Sequence, residues 1–482
     1  MSRAAIQHWI QGEWVDSTTH AETRTCFTGE PFRTFAVDDG TLSAQAIEHA
    51  RRVFERSTWA HQPRLRAQVL LELADQLTAE FDTLADVISI ESGKLIHHAR
   101  GEVMACISEC RYYAGLARSI QGRMLETDAG KLSMFTQEAI GVASIIVPWN
   151  APGTLLVRSL APAMAAGCTS VVKGAMQTVS TTHLFAECLS RCPSLPQGVV
   201  QVVHGDLACS QMLCQHPQVD VISFTGSTTT GKAIMASAAT SLKRLSLELG
   251  GKSPAIVLED ADLDRAAHEI AQGIVPLSGQ MCTAIGRILI ADAVWDRFVP
   301  KLRDRLANLS IGAPDDHSAE LGPLIDVASA DRYERLLAQA SQEGETLLAG
   351  HRPNVGPLAN FVAPALYAID DPRSTLVQTE LFAPIGIAER FTNDEAAAVL
   401  ANMTRYGLSA SVYSQSGERA QRMARAIKAG TVWINCHNRL MAEAETGGYR
   451  ESGLGRLHGV EGLADFLETK HIYQEFGQLP TG

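Results

Sequence analysis

The sequence predicts an α/β fold built on a parallel sheet, and two regions of the chain support this prediction. Residues 42–119 are predicted to form successive helices, because apolar residues recur there at roughly helical spacing. From Gly141 onward, strand-like apolar runs alternate with helix-like segments. The strands are predicted at 142–147, 169–173, 199–203 and 219–224, and the intervening helices at 155–166 and 181–191. This alternation is typical of parallel βαβ units, in which ligands bind at the carboxyl ends of the strands.

Two further elements are predicted outside this alternation. Residues 122–139 alternate around a turn at 128–131, which predicts a hairpin that leaves the main body. A protruding hairpin has unpaired edges, so we expect another element or another subunit to cover it. Residues 462–470 are predicted to form a helix that leads into a terminal strand at 471–473.

Composition and charge limit the classes of partner. The chain has 482 residues, with 41 Lys and Arg against 53 Asp and Glu, and its formal net charge is −12. Because there is no long basic run, this charge disfavours nucleic acids and acidic membranes as partners. No secretion signal or membrane span is evident. The ten cysteines form no Cys-x-x-Cys pair and no zinc-type spacing, so we expect reduced thiols in the cytoplasm and no bound metal.

Cys282 and Glu248 are the candidate reactive groups. Cys282 lies in a turn rich in Gly, Gln, Ser and Thr between two apolar runs, where a thiol can be exposed and still be held by rigid structure. A thiolate attacks carbonyl carbon well, and a carboxylate such as Glu248 can deprotonate water. The alternative is that Cys282 is a buried structural residue, which is the commoner state of a free cysteine.

Candidate ligand-binding groups follow the predicted strands. The segment after Phe224 gives the order strand, glycine turn and helix, which can hold a phosphate on backbone N–H groups, although it matches neither common glycine-rich motif. A helix cap with a tight turn explains it equally well. Asn150 follows the first strand as a possible oxyanion donor or a helix cap. Lys173 ends the next strand, close to a possible phosphate or ribose, or simply in solvent.

Seven motifs in order make the chain resemble the aldehyde dehydrogenase superfamily, whose members oxidise aldehydes to carboxylic acids with NAD or NADP. The resemblance runs from Trp9 to near the C-terminus. The motifs are Pro148-Trp149-Asn150, Val172-Lys173, Phe224-Thr225-Gly226-Ser227, Glu248-Leu249-Gly250-Gly251-Lys252, Gly279-Gln280-x-Cys282, Glu380-Leu381-Phe382-Ala383-Pro384 and Gly447-Gly448-Tyr449-Arg450-x-Ser452-Gly453.

The resemblance implies a role for each motif residue. Cys282 would be the nucleophile, Asn150 with the Cys282 backbone N–H the oxyanion hole, and Glu248 the base that activates water. Family members without such a base transfer the acyl group to coenzyme A, so Glu248 favours hydrolysis. Lys173 would hold the adenosine ribose, Ser227 the pyrophosphate, and Glu380 with Phe382 the nicotinamide ribose and ring. The full set of expected cofactor residues is Trp149, Lys173, Gly226, Ser227, Leu249, Gly250, Glu380 and Phe382.

The resemblance also implies a domain plan. A Rossmann-like cofactor domain would comprise 1–121 and 140–248, and an α/β catalytic domain 249–448. A small β oligomerisation segment would comprise 122–139 and 470–482, with its strand pairing with the hairpin of a neighbouring subunit. A return helix at 449–469 would pack on the cofactor domain. We therefore expect a homodimer or homotetramer.

Departures from the family pattern leave the substrate and the cofactor open. Met176 stands where a carboxylate is usual, and a thioether cannot accept ribose hydrogen bonds, so NAD and NADP both remain possible. The segments 275–278 and 445–446 are also atypical, and a catalytically silent dinucleotide-binding homologue or a coenzyme A-acylating enzyme is the alternative function.

The expected substrate residues are assigned from their positions near Asn150 and Cys282. Arg158 could pair the carboxylate of a semialdehyde, or be bonded to nearby groups instead. The small residues Ala151 and Thr154 favour a roomy tunnel for a bulky or aromatic aldehyde and give no aromatic cage for a quaternary ammonium group. Met281 and Thr283 flank the nucleophile.

Overall fold

The computed structural model describes residues 5–477 as a mixed α/β chain with two large sheets. In the N-terminal part, four short strands precede four helices. The strands are β1 (His8–Ile10), β2 (Glu13–Val15), β3 (Thr19–Arg24) and β4 (Pro31–Val37). The helices are α1 (Thr41–Arg56), α2 (Pro63–Ala79), α3 (Phe81–Ser92) and α4 (Ile96–Ala117), which confirms the predicted helical region.

The middle of the chain forms a hairpin and then a βαβ array. Its strands are β5 (Arg123–Asp128), β6 (Lys131–Ala139), β7 (Val142–Ile146), β8 (Thr169–Lys173), β9 (Val200–Val203), β10 (Val221–Thr225) and β11 (Arg244–Glu248). Its helices are α5 (Pro152–Ala166), α6 (Val179–Ser190), α7 (Leu207–Gln215) and α8 (Thr228–Ala238). All four strands predicted between residues 142 and 224 are therefore confirmed, as are the hairpin and the two intervening helices.

The first sheet is Rossmann-like, with five parallel strands in the order β11-β10-β7-β8-β9. The antiparallel pair β1 and β2 extends it beyond β9. Strands β7, β8, β9 and β10 are buried along their whole length, because helices pack on both faces of a parallel sheet. The strand-like segments that predicted them lack a regular polar alternation because of this burial.

The rest of the chain builds the second sheet, whose order is β14-β15-β16-β13-β12-β17-β18. Its strands are β12 (Ser253–Val257), β13 (Ile285–Ala291), β14 (Glu345–Leu348), β15 (Ala365–Ala368), β16 (Ile385–Phe391), β17 (Ser409–Tyr413) and β18 (Thr431–Ile434). The helices are α9 (Leu263–Ile274), α10 (Trp295–Ala307), α11 (Val327–Glu343), α12 (Thr375–Gln378), α13 (Asp394–Asn402) and α14 (Gly417–Ala426). Six of the seven strands run parallel, and β14 is antiparallel to β15.

The C-terminal segment differs from the prediction. Two strands occur there, β19 (Gly453–Leu454), which joins the first sheet beside β11, and β20 (Leu467–Glu475). The expected return helix at 449–469 is wrong, as is the helix at 462–470, because the segment contains only short 3-10 helices at Arg450–Ser452 and Glu461–Phe466. Positive φ angles at Gly453, Gly455 and Gly459 interrupt any continuous helix.

Strand β20 pairs within its own chain. It lies antiparallel to β6 from Leu467 opposite Ala139 to Glu475 opposite Lys131, and β5 completes a three-stranded sheet. The expectation that it pairs with the hairpin of a neighbouring subunit is therefore wrong, since the hairpin of the same chain already fills that edge. The domain boundaries remain a prediction, and their outermost residues, 1–4 and 478–482, lie outside the described residues.

Among the helices of residues 5–477, none has both the length and the apolar character that a membrane span requires.

Candidate active site

The candidate site lies where the carboxyl ends of the first sheet meet the loop before β13. Glu248 is the last residue of β11, and Thr225, the last residue of β10, lies directly opposite it in the parallel register. Cys282 lies in the loop that joins α9 to β13. Ligands of parallel sheets bind at this end of the strands, as the sequence led us to expect.

One cavity of about 710 Å³ brings the expected catalytic and substrate residues together. All eight of them line it, namely Asn150, Ala151, Thr154, Arg158, Glu248, Met281, Cys282 and Thr283. The cavity is large enough to enclose a small organic substrate. Four of its lining residues are exposed, namely His97 and Ser108 of α4 together with Arg439 and Met441.

Cys282 differs from the other thiols of the chain in its surroundings. Eight of the ten cysteines are buried, whereas Cys282 and Cys436 are partly exposed, and Cys282 shares the cavity with Glu248. Burial among protein atoms nevertheless raises the pKa of the Cys282 thiol to about 12, and the positive charge of Arg158 opposes that rise. The resting group is therefore a thiol, which must lose its proton when it attacks.

The loop before Cys282 is held rigidly in an unusual backbone conformation. Leu277, Ser278 and Gly279 have φ angles of 51°, 59° and 76°. The Ser278 hydroxyl donates to Gly322 O at 2.8 Å, and Gln280 Oε1 accepts from Ile325 N at 3.0 Å. Non-glycine residues with positive φ concentrate at functional sites, where surrounding contacts maintain the strain. The sequence identified the motif but not the role of Gln280 as its anchor.

The sequence left open that Asn150 caps a helix and that Lys173 lies in solvent, and the structure shows neither. Asn150 is buried, its Nδ2 donates to Gln280 O at 3.0 Å, and Ala151 rather than Asn150 caps α5. The amide therefore faces the loop of Cys282, and the helix-cap alternative is wrong. Lys173 is buried rather than in solvent, and its Nζ donates to Gly174 O at 3.2 Å. Burial lowers the pKa of Lys173, which Asp206 partly opposes.

Glu248 is a buried carboxylate beside a buried guanidinium. Burial raises the pKa of Glu248, and Arg158 is the first of the cations that oppose this rise. Arg158 Nη2 lies 3.8 Å from Glu248 Oε2 and donates to Thr225 Oγ1 at 3.1 Å. The contacts of Arg158 are therefore local, which agrees with the second of its two sequence interpretations.

Six of the eight expected cofactor residues end or follow strands of the first sheet, and Glu380 and Phe382 lie in the loop before β16 of the second sheet. Trp149 follows β7 and Lys173 ends β8, while the remaining residues follow β10 or β11, or precede β16. Those remaining residues are Gly226, Ser227, Leu249, Gly250, Glu380 and Phe382. The Trp149 and Phe382 rings lie edge to face with centroids 5.8 Å apart. This clustering is what a dinucleotide requires of a parallel sheet.

The backbone at Gly250 and the N-terminus of α8 both fit a bound dinucleotide. A Cβ on Gly250 would lie 2.5 Å from Glu380 Oε2, so the backbone and this carboxylate approach each other closely. Burial raises the pKa of Glu380 to about 7, against a hydrogen bond of 3.2 Å from Gly251 N. The Ser227 side chain caps α8 by accepting from Thr230 N, which confirms the cap interpretation, and the helix N-terminus beside Gly226 can still bind a phosphate.

Two buried ion pairs in the cavity wall were missed by the sequence analysis. Glu102 pairs with Lys94 and accepts from Gly153 N at 2.7 Å at the start of α5. His458 Nδ1 contacts both carboxylate oxygens of Glu109, at 2.9 and 3.0 Å. The second pair joins residues 349 positions apart, so no local sequence signal could have found it.

Comparison with known proteins gives the same assignment over almost the whole chain. The model of the aldehyde dehydrogenase family matches residues 14–472. Aldehyde dehydrogenase family 2 member C4 of Arabidopsis thaliana is 34% identical, covering 98% of this chain and 95% of that protein. The NADP/NAD-dependent aldehyde dehydrogenase PuuC of Escherichia coli (strain K12) is 36% identical, covering 96% and 94%.

Solved structures agree. The crystal structure of betaine aldehyde dehydrogenase from Staphylococcus aureus in complex with NAD+ has a TM-score of 0.95 and 32% identity, covering 98% of this chain and 96% of that chain. The NAD-dependent aldehyde dehydrogenase from Sinorhizobium meliloti has the same TM-score and identity, covering 100% and 96%. The chain belongs to the aldehyde dehydrogenase family, and its activity is the NAD(P)-dependent oxidation of an aldehyde to a carboxylic acid.

Proposed function

We propose that this oxidation passes through a covalent intermediate on Cys282 and ends in hydrolysis assisted by Glu248. The observation that supports this proposal is that a partly exposed thiol, a buried amide donor and a buried carboxylate line one cavity. A nucleophile, an oxyanion donor and a base are the three groups that aldehyde oxidation with hydrolysis requires of a protein.

The first half-reaction forms a thioester. The Cys282 sulfur bonds to the carbonyl carbon while its thiol proton passes through water to the solvent, and the carbonyl oxygen becomes an oxyanion. Asn150 Nδ2 and the Cys282 backbone N–H donate hydrogen bonds to that oxygen. A bound dinucleotide, for which Lys173, Ser227 and Glu380 are the expected contacts, would supply the hydride acceptor. Loss of the hydride with its electron pair from this carbon restores the carbonyl bond as a thioester.

The second half-reaction releases the acid. Glu248 removes a proton from a water molecule as the water oxygen bonds to the thioester carbon. The carbon–sulfur bond then breaks, the acid leaves, and the sulfur takes up the proton that Glu248 removed from water. Transfer to coenzyme A remains the alternative, and it predicts that turnover requires that thiol. A silent homologue predicts no turnover at all.

Matched cysteine variants test the nucleophile. Cys282→Ala should abolish aldehyde-dependent NAD(P)H formation while the cofactor still binds in calorimetry, because only the sulfur is lost. Cys436→Ala is the control, since Cys436 is the other partly exposed thiol and does not line the cavity. Turnover by Cys282→Ala would exclude Cys282 as the nucleophile.

A second variant tests the base. Glu248→Gln should give a burst of NAD(P)H followed by slow turnover, because an amide cannot take a proton from water. Mass spectrometry of the quenched enzyme should find the acyl group on Cys282. Undiminished production of acid by this variant would exclude Glu248 as the essential base.

We infer that the substrate is a bulky or aromatic aldehyde rather than a quaternary ammonium aldehyde. The cavity is about 710 Å³, and Ala151 and Thr154 leave room near the nucleophile. Betaine aldehyde dehydrogenases from Bacillus subtilis and Staphylococcus aureus are among the relatives, but recognition of a quaternary ammonium group uses several aromatic faces. Among the described lining residues, Trp433 alone carries a Phe, Tyr or Trp ring.

Kinetics over a panel of aldehydes test the substrate class and the cofactor together. We expect aromatic and bulky aliphatic aldehydes to give higher kcat/KM values than betaine aldehyde or semialdehydes. NAD and NADP should both support turnover, because Met176 offers no carboxylate to repel a 2′-phosphate. A strong preference for betaine aldehyde would contradict the proposed substrate class.

We also propose that the chain forms a homodimer or homotetramer through the sheet β20-β6-β5. Both of its outer strands, β5 and β20, have open edges, and every residue of β5 is exposed. Met124, Ile472 and Tyr473 are exposed apolar side chains on these strands. Edges and apolar patches of this kind need cover. Light scattering after size-exclusion chromatography tests this proposal, and a purely monomeric protein would refute it.

The thiols support a proposed location in the cytoplasm. All ten cysteines are free, and thiols persist in this form in reducing compartments.

A further inference from the structure

Arg158 is fixed beside the proposed base by its anchor on the neighbouring strand. It lies on α5 and is 6% exposed, while Glu248 is 4% exposed. Its Nη2 donates to the hydroxyl of Thr225, which is the register partner of Glu248 in the parallel sheet. The same nitrogen lies 3.8 Å from Glu248 Oε2. The sheet register therefore determines where this guanidinium lies relative to the carboxylate.

Arg158 is poorly placed to bind a substrate carboxylate. Its Nη2 donates one N–H to Thr225, and the same nitrogen is the one near Glu248, so a substrate carboxylate that bound this side of the guanidinium would compete with both residues. An incoming carboxylate at this position would also lie against Glu248, and like charges at such a distance destabilise each other.

Two other basic side chains near Glu248, His458 and Arg456, make hydrogen bonds elsewhere. The charged or titratable groups that act on this carboxyl, from several elements, are Arg158, Cys282, Arg456, His458 and Asp465. His458 pairs with Glu109, and Arg456 Nη1 donates to Gly455 O at 2.7 Å. Arg158 is therefore the cation within ion-pair distance of Glu248 in the described part of the chain.

We propose that Arg158 is a positioning residue that keeps Glu248 ionised and oriented for hydrolysis of the thioester, rather than an anchor for the substrate. The inference rests on the proposed function, because it assigns Arg158 to the base of that reaction. A buried carboxylate without a counter-charge takes up a proton more readily, and a protonated Glu248 cannot accept the proton of water. Arg158 thus acts through Glu248 and has no step of its own.

The decisive readout is the pH dependence of hydrolysis. In Arg158→Gln, the acid limb of kcat should move upward by about one pH unit or more, as expected for loss of an opposite charge at this distance. Arg158→Lys keeps a positive charge and should bring the limb back towards the wild-type position. The KM ratio between carboxylated and neutral aldehydes should not change in either variant.

Two further variants separate this role from general damage to the fold. Arg66→Gln removes another buried arginine, whose Nε donates to Ala165 O of α5, so it should lower stability without moving the acid limb. Thr225→Val removes the anchor of Arg158 at nearly unchanged volume, and it should move the limb in the same direction by less. Thr225→Val therefore tests the proposal even if Arg158→Gln does not fold.

Two results would overturn the proposal. One is an acid limb at the wild-type position in active Arg158→Gln and Thr225→Val. The other is a rise in KM for carboxylated aldehydes alone, which would make Arg158 a substrate anchor. In a Glu248→Gln background, Arg158→Gln should slow acyl-enzyme breakdown by less than about twofold. If instead wild-type enzyme shows no turnover, or Cys282→Ala retains it, the proposed reaction fails before Arg158 is tested.

Discussion

Gly279→Ala tests how the nucleophile loop is held against the cofactor residues. Gly279 has a φ angle of 76°, and a Cβ at this position would lie 2.6 Å from Ala383 O and closer still to the backbone of Pro384. A left-handed conformation costs a residue with a side chain about 1–2 kcal/mol. Overpacking against rigid backbone adds about 1–3 kcal/mol. The expected loss of stability is therefore about 2–5 kcal/mol.

The effect should extend to activity because of where the clash lies. Ala383 follows Phe382 directly, so a shift there moves the proposed nicotinamide contact together with the Cys282 loop. We expect kcat/KM to fall by at least about tenfold, since small misplacements at a reacting centre cost large factors in rate. The assays are the midpoint of denaturant unfolding and the rate of NAD(P)H formation.

Gly115→Ala is the matched control. Gly115 lies within α4, and nothing within 4 Å would contact its Cβ. Alanine has the higher helix propensity, so this variant should gain up to about 1 kcal/mol and keep full activity. The reasoning is refuted if Gly279→Ala unfolds at the same denaturant concentration as the wild type.

Three further predictions concern pH, the core and the assembly. Burial raises the pKa of Glu248, so its carboxylate takes up a proton at a higher pH than an ordinary glutamate does. We therefore expect kcat to fall as the pH is lowered through that raised pKa. A kcat that stays constant down to the usual glutamate range would contradict this. Arg287→Met should lower the free energy of unfolding by about 3–5 kcal/mol, because it leaves Glu389 buried without its bidentate partner. Lys301→Met removes an exposed ion pair with Asp264 and should lower it by less than about 1 kcal/mol. Equal unfolding midpoints for the two variants would disprove this difference. Ile472→Asp should weaken the proposed oligomer in light scattering, and an unchanged assembly would remove β20 from the interface.

Local patterns were sufficient for the parts of the fold whose side chains are buried on both faces. The strands at 142–146, 169–173 and 221–225 are rich in β-branched residues and lack the polar alternation of a half-exposed strand, because helices cover both sides of the sheet. The segment 449–469 failed for the opposite reason. Helical spacing predicted only its end, at 462–470, and the pairing of Leu467 onward with β6 overrides that local preference. The return helix over the whole segment was implied by the resemblance, and the left-handed Gly453, Gly455 and Gly459 interrupt it.

Some features of the candidate site were predictable from local motifs, and others required the tertiary structure. The motifs around Glu248 and Cys282 were readable because each is a short local segment whose order along the chain is distinctive. The structure was needed to show that Asn150 bonds to the loop of Cys282 rather than capping α5, and that Lys173 is buried. These distinctions depend on which groups surround a side chain, which local spacing does not encode.

The sequence by itself determined the α/β class, the family resemblance and the identity of the candidate thiol and base, because all of these are written in local periodicity and short motifs. Only the tertiary structure decided what Arg158 and Glu109 contact. Their partners, Glu248 and His458, lie 90 and 349 positions away along the chain. Arg158 of α5 meets Glu248 at the end of β11, and Glu109 of α4 meets His458 in the C-terminal segment. Contacts of this range follow from the packing of whole elements, so no local segment of the chain could specify them.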